Sequence, residues 1–160
     1  MRHAPEIQIR LVRSDEQAQL RRVRLSALAY APQLAEHLAE ETAAPPAFWR
    51  DRAEQAASAT TMATFVAVEE DAFVGIVDGF LTGGGGTVEI GGMWVNPHRR
   101  RAGIGRELLS AILAWASEQG ATRAALWITA ANEPARLLYE RDGFELAETS
   151  GAGLRLEKTI

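Results

Sequence analysis

The sequence predicts an α/β (α+β) fold: one domain with a mixed, mostly antiparallel sheet, a central pair of parallel strands and helices on both faces. Residues 88–95 are rich in β-branched and aromatic side chains and indicate a strand, and apolar side chains then recur at helical spacing over residues 104–115. Residues 124–128 form a continuously apolar segment, typical of a strand buried on both faces. A strand, a helix and a strand in this order predict parallel strands joined by a right-handed crossover.

Helices are predicted to follow the first strand of the chain. Residues 7–12 alternate between apolar and polar side chains and predict that strand. Ser14 then suits the N-cap of a helix over residues 15–30. Two further short helices are predicted over residues 33–41 and 48–57. The buried face of the first helix is predicted to consist of Leu20, Val23, Leu25 and Leu28.

A hairpin and a closing pair of strands complete the predicted sheet. Strands over residues 61–69 and 73–81 flank a short acidic turn. The four glycines 83–86 precede a strand rather than a helix, which favours a plain loop over a phosphate-binding loop. The remaining elements are predicted as a helix over residues 132–142 and strands over residues 145–148 and 154–159.

Composition restricts the classes of protein to which the chain is expected to belong. The chain has 160 residues, of which 47% are hydrophobic and 24% are charged, as in a soluble globular protein. It has no apolar run of membrane-spanning length and no apolar segment of a secretory signal near its start, so we expect a cytoplasmic protein without a membrane partner. The absence of cysteine excludes disulfides and thiol catalysis. The net charge of −4 argues against a nucleic-acid partner.

Histidines and tryptophans offer little functional signal. His3, His37 and His98 are scattered along a chain without cysteine, so no metal site is expected. The tryptophans of the central unit are predicted to lie in the core, and they are Trp94, Trp115 and Trp127.

An Arg- and Gly-rich segment separates the central strand from the helix that follows it. Residues 99–106 read Arg-Arg-Arg-Ala-Gly-Ile-Gly-Arg, after the strand end at Asn96-Pro97. A helix N-terminus presents unpaired N–H groups and the positive end of the helix dipole. Gly103 and Gly105 allow a ligand to approach that backbone. The segment therefore predicts an anion site that suits a phosphate or pyrophosphate.

Three phosphate-binding motifs compete as interpretations of this segment. A Walker loop requires a Gly-Lys pair, but the only lysine is Lys158. A dinucleotide fingerprint requires a third glycine where Leu108 stands. The pattern [QR]-x-x-G-x-[GA] is met by residues 100–105, and it resembles the acetyl-CoA signature of the GNAT superfamily of N-acetyltransferases. Residues 132–144 resemble a second hallmark of that superfamily, N-x-x-A-x-x-[LF]-Y-x-x-x-G-F.

This resemblance implies one N-acetyltransferase domain over residues 1–160, with acetyl-CoA as cosubstrate and no metal. It implies that the backbone of residues 101–106 binds the CoA pyrophosphate, and that Arg100 orients the loop. Met93 and Val95 are expected to pair with the pantetheine arm in a slot between splayed strands, opened by a bulge at Gly91-Gly92. The complete predicted set of cofactor-binding residues is Met93, Val95, Arg100, Arg101, Ala102, Gly103, Gly105, Arg106, Asn132 and Tyr139.

Two residues are predicted to be catalytic. Tyr139 is the candidate general acid that protonates the leaving thiolate, with packing against the core or the cofactor as the alternative. Glu89 is the candidate general base for the incoming ammonium, acting through a water, with an exposed strand residue or a cation-binding group as the alternative. Asn132 is expected to serve as a helix N-cap, a pantetheine contact, or both.

The acceptor and the partners are less well determined by the sequence. A small-molecule amine is favoured as the acceptor, and a protein N-terminus or a lysine side chain is the alternative. The final strand is expected to be exposed, so that it could pair across a homodimer. The alternative functions are an acyl-CoA-binding sensor or scaffold without activity, and a nucleotide-binding regulator that uses the same loop. The order of elements and the segment 24–28 resemble bacterial members of the superfamily.

Overall fold

The computed structural model describes residues 6–100 and 102–160, which fold into a seven-stranded sheet and five α-helices. The strands are β1 (Ile7–Leu11), β2 (Met62–Glu69), β3 (Ala72–Thr82), β4 (Thr87–Val95), β5 (Arg123–Thr129), β6 (Glu145–Ser150) and β7 (Gly153–Thr159). The helices are α1 (Gln17–Ala29), α2 (Ala35–Ala43), α3 (Pro46–Ser58), α4 (Ile104–Glu118) and α5 (Glu133–Arg141). Among these residues, no helix is both long and apolar enough to cross a membrane.

The sheet has the predicted mixed topology. Its strands run in the order β1-β2-β3-β4-β5-β7-β6, and β4 and β5 are parallel while the other neighbours are antiparallel. The final strand β7 lies between β5 and β6, so the expectation that it forms an exposed edge was wrong. The edge on this side is β6, because the chain reverses at residues 151–152 and β7 inserts against β5.

The start of α1 differs from its prediction. The N-cap position is held by Glu16 rather than by Ser14, without a side-chain capping bond. The carboxylate of Glu16 instead accepts from the backbone N–H of Arg13 at 2.8 Å and pairs with the Arg10 guanidinium at 2.7 Å, which lowers the pKa of Glu16. This local bonding keeps residues 13–16 out of the helix. Leu25, predicted to be buried, is only half-buried.

Each face of the sheet carries its own apolar layer. On the first face, α4 contributes Leu108, Leu109 and Ile112, which pack on Val88 and Ile90 of β4. On the second face, α1 and α3 pack on β2 and β3. Strand residues alternate between the two faces, and therefore Glu89, which stands between Val88 and Ile90, belongs to the second face.

The central parallel strands separate part-way along their length. Pairing between β4 and β5 runs from Thr87 and Arg123 to Ile90 and Leu126, although both strands continue beyond that point. Against β3, the register of β4 shifts at Gly92, which has a φ of +62°. The bulge predicted at Gly91-Gly92 is confirmed. Beyond Ile90, β4 and β5 therefore face each other across an unpaired slot.

A matched pair of substitutions tests this bulge. Gly92→Ala is expected to lower the free energy of unfolding by about 2–3 kcal/mol, because its φ is positive and the new Cβ would lie 2.7 Å from Asp78 Oδ2. Gly91→Ala meets no atom within 4 Å, and we expect a change of less than about 1 kcal/mol. Urea denaturation measures both variants, and equal losses would contradict the assignment.

Candidate active site

The predicted anion site lies at the N-terminus of α4, whose backbone geometry suits an anion. Gly103 takes the N-cap position in the left-handed region, with a φ of +78° and no side-chain capping bond. The first hydrogen bond of this helix runs from Glu107 N to Gly103 O at 3.1 Å. The N–H groups of residues 104–106 therefore have no acceptor within the helix, and they carry the positive end of its dipole. A Cβ on Gly103 would meet no atom within 4 Å, so the site is open.

The arginines around this site have different partners. Arg100 Nε donates to Val95 O at 3.2 Å, which ties the loop to the end of β4. Arg99 pairs with Glu69 Oε2 at 2.6 Å and thereby joins the loop to the β2–β3 turn. Ala102 and Arg106 are exposed. Arg101 lies outside the described residues.

The slot between β4 and β5 opens beside this helix terminus. A Cβ on Gly105 would lie 3.5 Å from Leu138 of α5 and 3.9 Å from Val95 of β4, so α4, α5 and the end of β4 meet there. Met93 and Val95 lie beyond the last β4–β5 pair and pack their side chains on the core of the first face. A ligand anchored at the start of α4 can therefore extend along the backbone of β4.

The second predicted motif lies on the first face. Asn132 Oδ1 accepts from Ala135 N at 3.3 Å, which confirms its N-cap role. Tyr139 is 4% exposed and packs edge-on against Phe144, with ring centroids 5.6 Å apart. Burial raises the pKa of Tyr139, because the phenolate would lose its hydration. The phenol therefore stays protonated at neutral pH, as a general acid must.

Glu89 lies on the opposite face and is already paired. Both of its carboxylate oxygens accept from the guanidinium of Arg155 on β7, at 2.6 and 3.2 Å. The candidate acid Tyr139 and the candidate base Glu89 are thus on different faces of the sheet, with the slot between them. This arrangement suits a reaction in which the cofactor occupies the slot and the acceptor arrives on the second face.

Comparison with known proteins identifies the family. The model of the acetyltransferase (GNAT) family matches residues 28–144. This chain belongs to the GNAT acetyltransferase family. No curated protein sequence matches it.

Solved structures share this GNAT fold over nearly the whole chain. The PaiA N-acetyltransferase of Thermoplasma acidophilum, in complex with coenzyme A, is 15% identical with a TM-score of 0.84, and the match covers 97% of this chain and 99% of that one. A GNAT acetyltransferase of Streptococcus pneumoniae is 19% identical with a TM-score of 0.80, with coverage of 97% and 99%. Nourseothricin acetyltransferase is 28% identical with a TM-score of 0.56 over 62% of this chain and 65% of that one.

Two charged residues of this GNAT domain were not found by sequence reasoning. Arg155 gave no local signal, because its partner Glu89 is 66 residues away. Asp78 is 2% exposed and accepts from Thr64 Oγ1 at 2.6 Å, while Arg52 lies 3.3 Å from its other oxygen. An acid within the apolar run of β3 was a signal that could have found it. Its carboxylate lies against the bulge at Gly92.

One tryptophan of the GNAT domain contradicts its prediction. Trp115 is 5% exposed and belongs to the core, and Trp94 is half-buried. Trp127, however, is 46% exposed, so the core assignment was wrong. Its side chain points to the second face, where α1 and α3 pack on β2–β4 and leave β5 open. The prediction that residues 124–128 are buried on both faces therefore fails at Trp127.

Proposed function

We propose that this protein transfers the acetyl group of acetyl-CoA to a primary amine by direct attack in a ternary complex, with a small molecule as the favoured acceptor. One observation carries the proposal: the open N-terminus of α4 stands beside the slot between β4 and β5. The PaiA N-acetyltransferase, which shares this fold, was solved with coenzyme A. In our proposal the pyrophosphate binds the N–H groups at the start of α4, and the pantetheine arm follows Met93 and Val95.

The proposed reaction uses one residue from each face. The acceptor ammonium loses a proton through a water to Glu89, and its nitrogen then bonds to the thioester carbonyl carbon. An N–H group of β4 near Met93 stabilises the oxyanion. The carbon–sulfur bond breaks, and the departing thiolate takes the proton of the Tyr139 hydroxyl. The nitrogen then loses its second proton through water, and a proton from water restores the Tyr139 hydroxyl. Asn132 holds the start of α5 and contacts the pantetheine arm.

The proposal is tested by following thiol release from acetyl-CoA. The panel of acceptors contains arylalkylamines, polyamines, amino acids and short peptides with free N-termini or lysines, and CoA binding is measured by calorimetry alongside. Turnover with a small amine supports the proposal in full. Turnover with peptides alone would replace the small-molecule acceptor by a protein N-terminus or lysine. Absence of CoA binding would contradict the role of α4.

A second candidate function rests on the ion pair of Glu89. Because Arg155 occupies both carboxylate oxygens, no free base faces the slot from this position. This observation favours an acyl-CoA-binding sensor without activity. Tight binding of acetyl-CoA with no turnover across the whole panel would support the sensor and would contradict the transferase.

Glu89→Gln tests whether Glu89 is the base of the proposed transferase. If Glu89 is the base, kcat should fall about 100-fold, toward the lower end of general-base effects, because Arg155 must first release the carboxylate. Glu118→Gln, which changes an exposed carboxylate in the last turn of α4, is the matched control and should keep the wild-type rate. A wild-type rate in Glu89→Gln would remove Glu89 from the mechanism.

A further inference from the structure

Four side chains of the second face form a compact surface at the mouth of the slot. Phe80 is the cross-strand neighbour of Glu89, and Trp127 is the cross-strand neighbour of Arg155. The ion pair between Glu89 and Arg155 crosses β5 beside Ala125, whose small side chain is only 1% exposed. We call Phe80, Glu89, Trp127 and Arg155 the open-face cluster.

The charges of this surface cancel. Arg155 bonds Glu89 at 2.6 Å and also reaches Glu157 at 3.2 Å, and Glu157 in turn pairs with Arg123 at 2.8 Å. Two carboxylates and two guanidinium groups therefore alternate across three strands. Such a row carries no net charge that would concentrate a polycation at this surface.

The cluster exposes large aromatic side chains. Trp127 is 46% exposed and Phe80 is 39% exposed, on the two sides of Glu89. The Arg155 guanidinium lies 5.9 Å from the centroid of the Trp127 ring, so a cation already occupies the region of that ring and of the Glu89 carboxylate. Aromatic faces bind both apolar groups and a single cation.

The cluster also lies where an acceptor must arrive. Glu89 directly precedes the last paired residue of β4, Ile90, and Trp127 directly follows the last paired residue of β5, Leu126. The slot thus begins between these two side chains. A ligand amine held by Glu89 would enter the slot from the second face, opposite Tyr139.

Building on the proposed function, we propose that the acceptor is a monoamine whose ammonium is carried by an apolar, preferably aromatic, body, and that the open-face cluster selects it. The ammonium binds Glu89 through a water in place of the Arg155 guanidinium, while Arg155 remains on Glu157. The apolar body packs on Trp127 and Phe80. Arg155 is then a specificity-determining residue, because it neutralises the surface and disfavours polyamines.

The test measures binding of phenethylamine and of spermidine to the CoA-saturated protein by calorimetry, together with kcat/KM for each amine. The wild-type protein should bind phenethylamine at least about tenfold more tightly than spermidine. Trp127→Ala should weaken the binding of phenethylamine about tenfold and leave the affinity for spermidine nearly unchanged. Arg155→Gln should strengthen the binding of spermidine about tenfold. CoA affinity reports whether each variant is folded.

Two exposed positions outside the cluster provide matched controls. Leu146→Ala removes a half-exposed apolar side chain on β6, and Arg22→Gln removes a positive charge from the exposed surface of α1. Neither should change the preference between the two amines. Spermidine binding as tight as phenethylamine in the wild type, or an unchanged phenethylamine affinity in Trp127→Ala, would overturn the inference. The expected binding pattern without acetylation of either amine would uphold the inference about the ligand while contradicting the proposed reaction.

Discussion

Replacing Gly103 by aspartate is expected to abolish binding of coenzyme A while the fold is retained. The new carboxylate would stand at the open N-terminus of α4, where the proposed pyrophosphate binds. Two like charges about 4 Å apart at a protein surface repel by roughly 4 kcal/mol, which corresponds to a Kd about 10³-fold higher. Aspartate tolerates the left-handed conformation better than most residues and favours a helix N-terminus, so the helix itself should not be lost.

Two variants separate charge from backbone effects in this experiment. Gly103→Ala adds a side chain that meets no atom and carries no charge, so CoA affinity should change much less than in the aspartate variant. Gly120→Asp places the same carboxylate at a glycine with positive φ just beyond the other end of α4, and should leave CoA binding intact. Calorimetric titration with CoA and a urea melt of each variant provide the comparison. Wild-type affinity in Gly103→Asp would refute the anion site.

The second large effect is expected from Tyr139→Phe. If Tyr139 protonates the departing thiolate, removal of its hydroxyl should lower kcat by about 10³-fold, within the range of general-acid effects. The Kd for acetyl-CoA should stay within a factor of about three, because the ring and its edge-on contact with Phe144 remain. Single-turnover kinetics at saturating acetyl-CoA measure this effect directly. A kcat equal to that of the wild type would leave Tyr139 as a packing residue only.

The pH dependence of the wild-type enzyme gives a check on the same residue. Burial raises the pKa of Tyr139, so the acid form persists to higher pH than an exposed tyrosine would allow. Deprotonation of Tyr139 should therefore cause no fall in kcat up to about pH 10, which is the ordinary pKa of tyrosine. A fall in kcat that is centred well below that pH in the wild type and is absent in Tyr139→Phe would contradict the raised pKa of Tyr139. Tyr30, which is 60% exposed, serves as the control position through Tyr30→Phe.

Local patterns predicted the elements that depend on neighbouring residues. The strand, glycine turn and amphipathic helix around Gly103 are encoded within about twenty residues, and the structure has them where they were expected. The bulge at Gly92 followed from the backbone freedom of glycine, and the N-cap at Asn132 followed from the reach of its side chain. The prediction that Ser14 is the N-cap of α1 was wrong for an equally local reason. Glu16 takes that position, and its carboxylate accepts from the backbone N–H of Arg13.

The sequence by itself determined the fold class and the family, because these depend on periodicity and on motifs that are contiguous in the chain. The anion site stays a prediction from the same contiguous segment. Only the tertiary structure decided that Arg155 holds Glu89 and that Trp127 is exposed. Those facts depend on the register of β7 against β5 and on which part of the second face the helices leave open. Strand register across 66 residues is set by the packing of the whole sheet, and no short segment of sequence carries it.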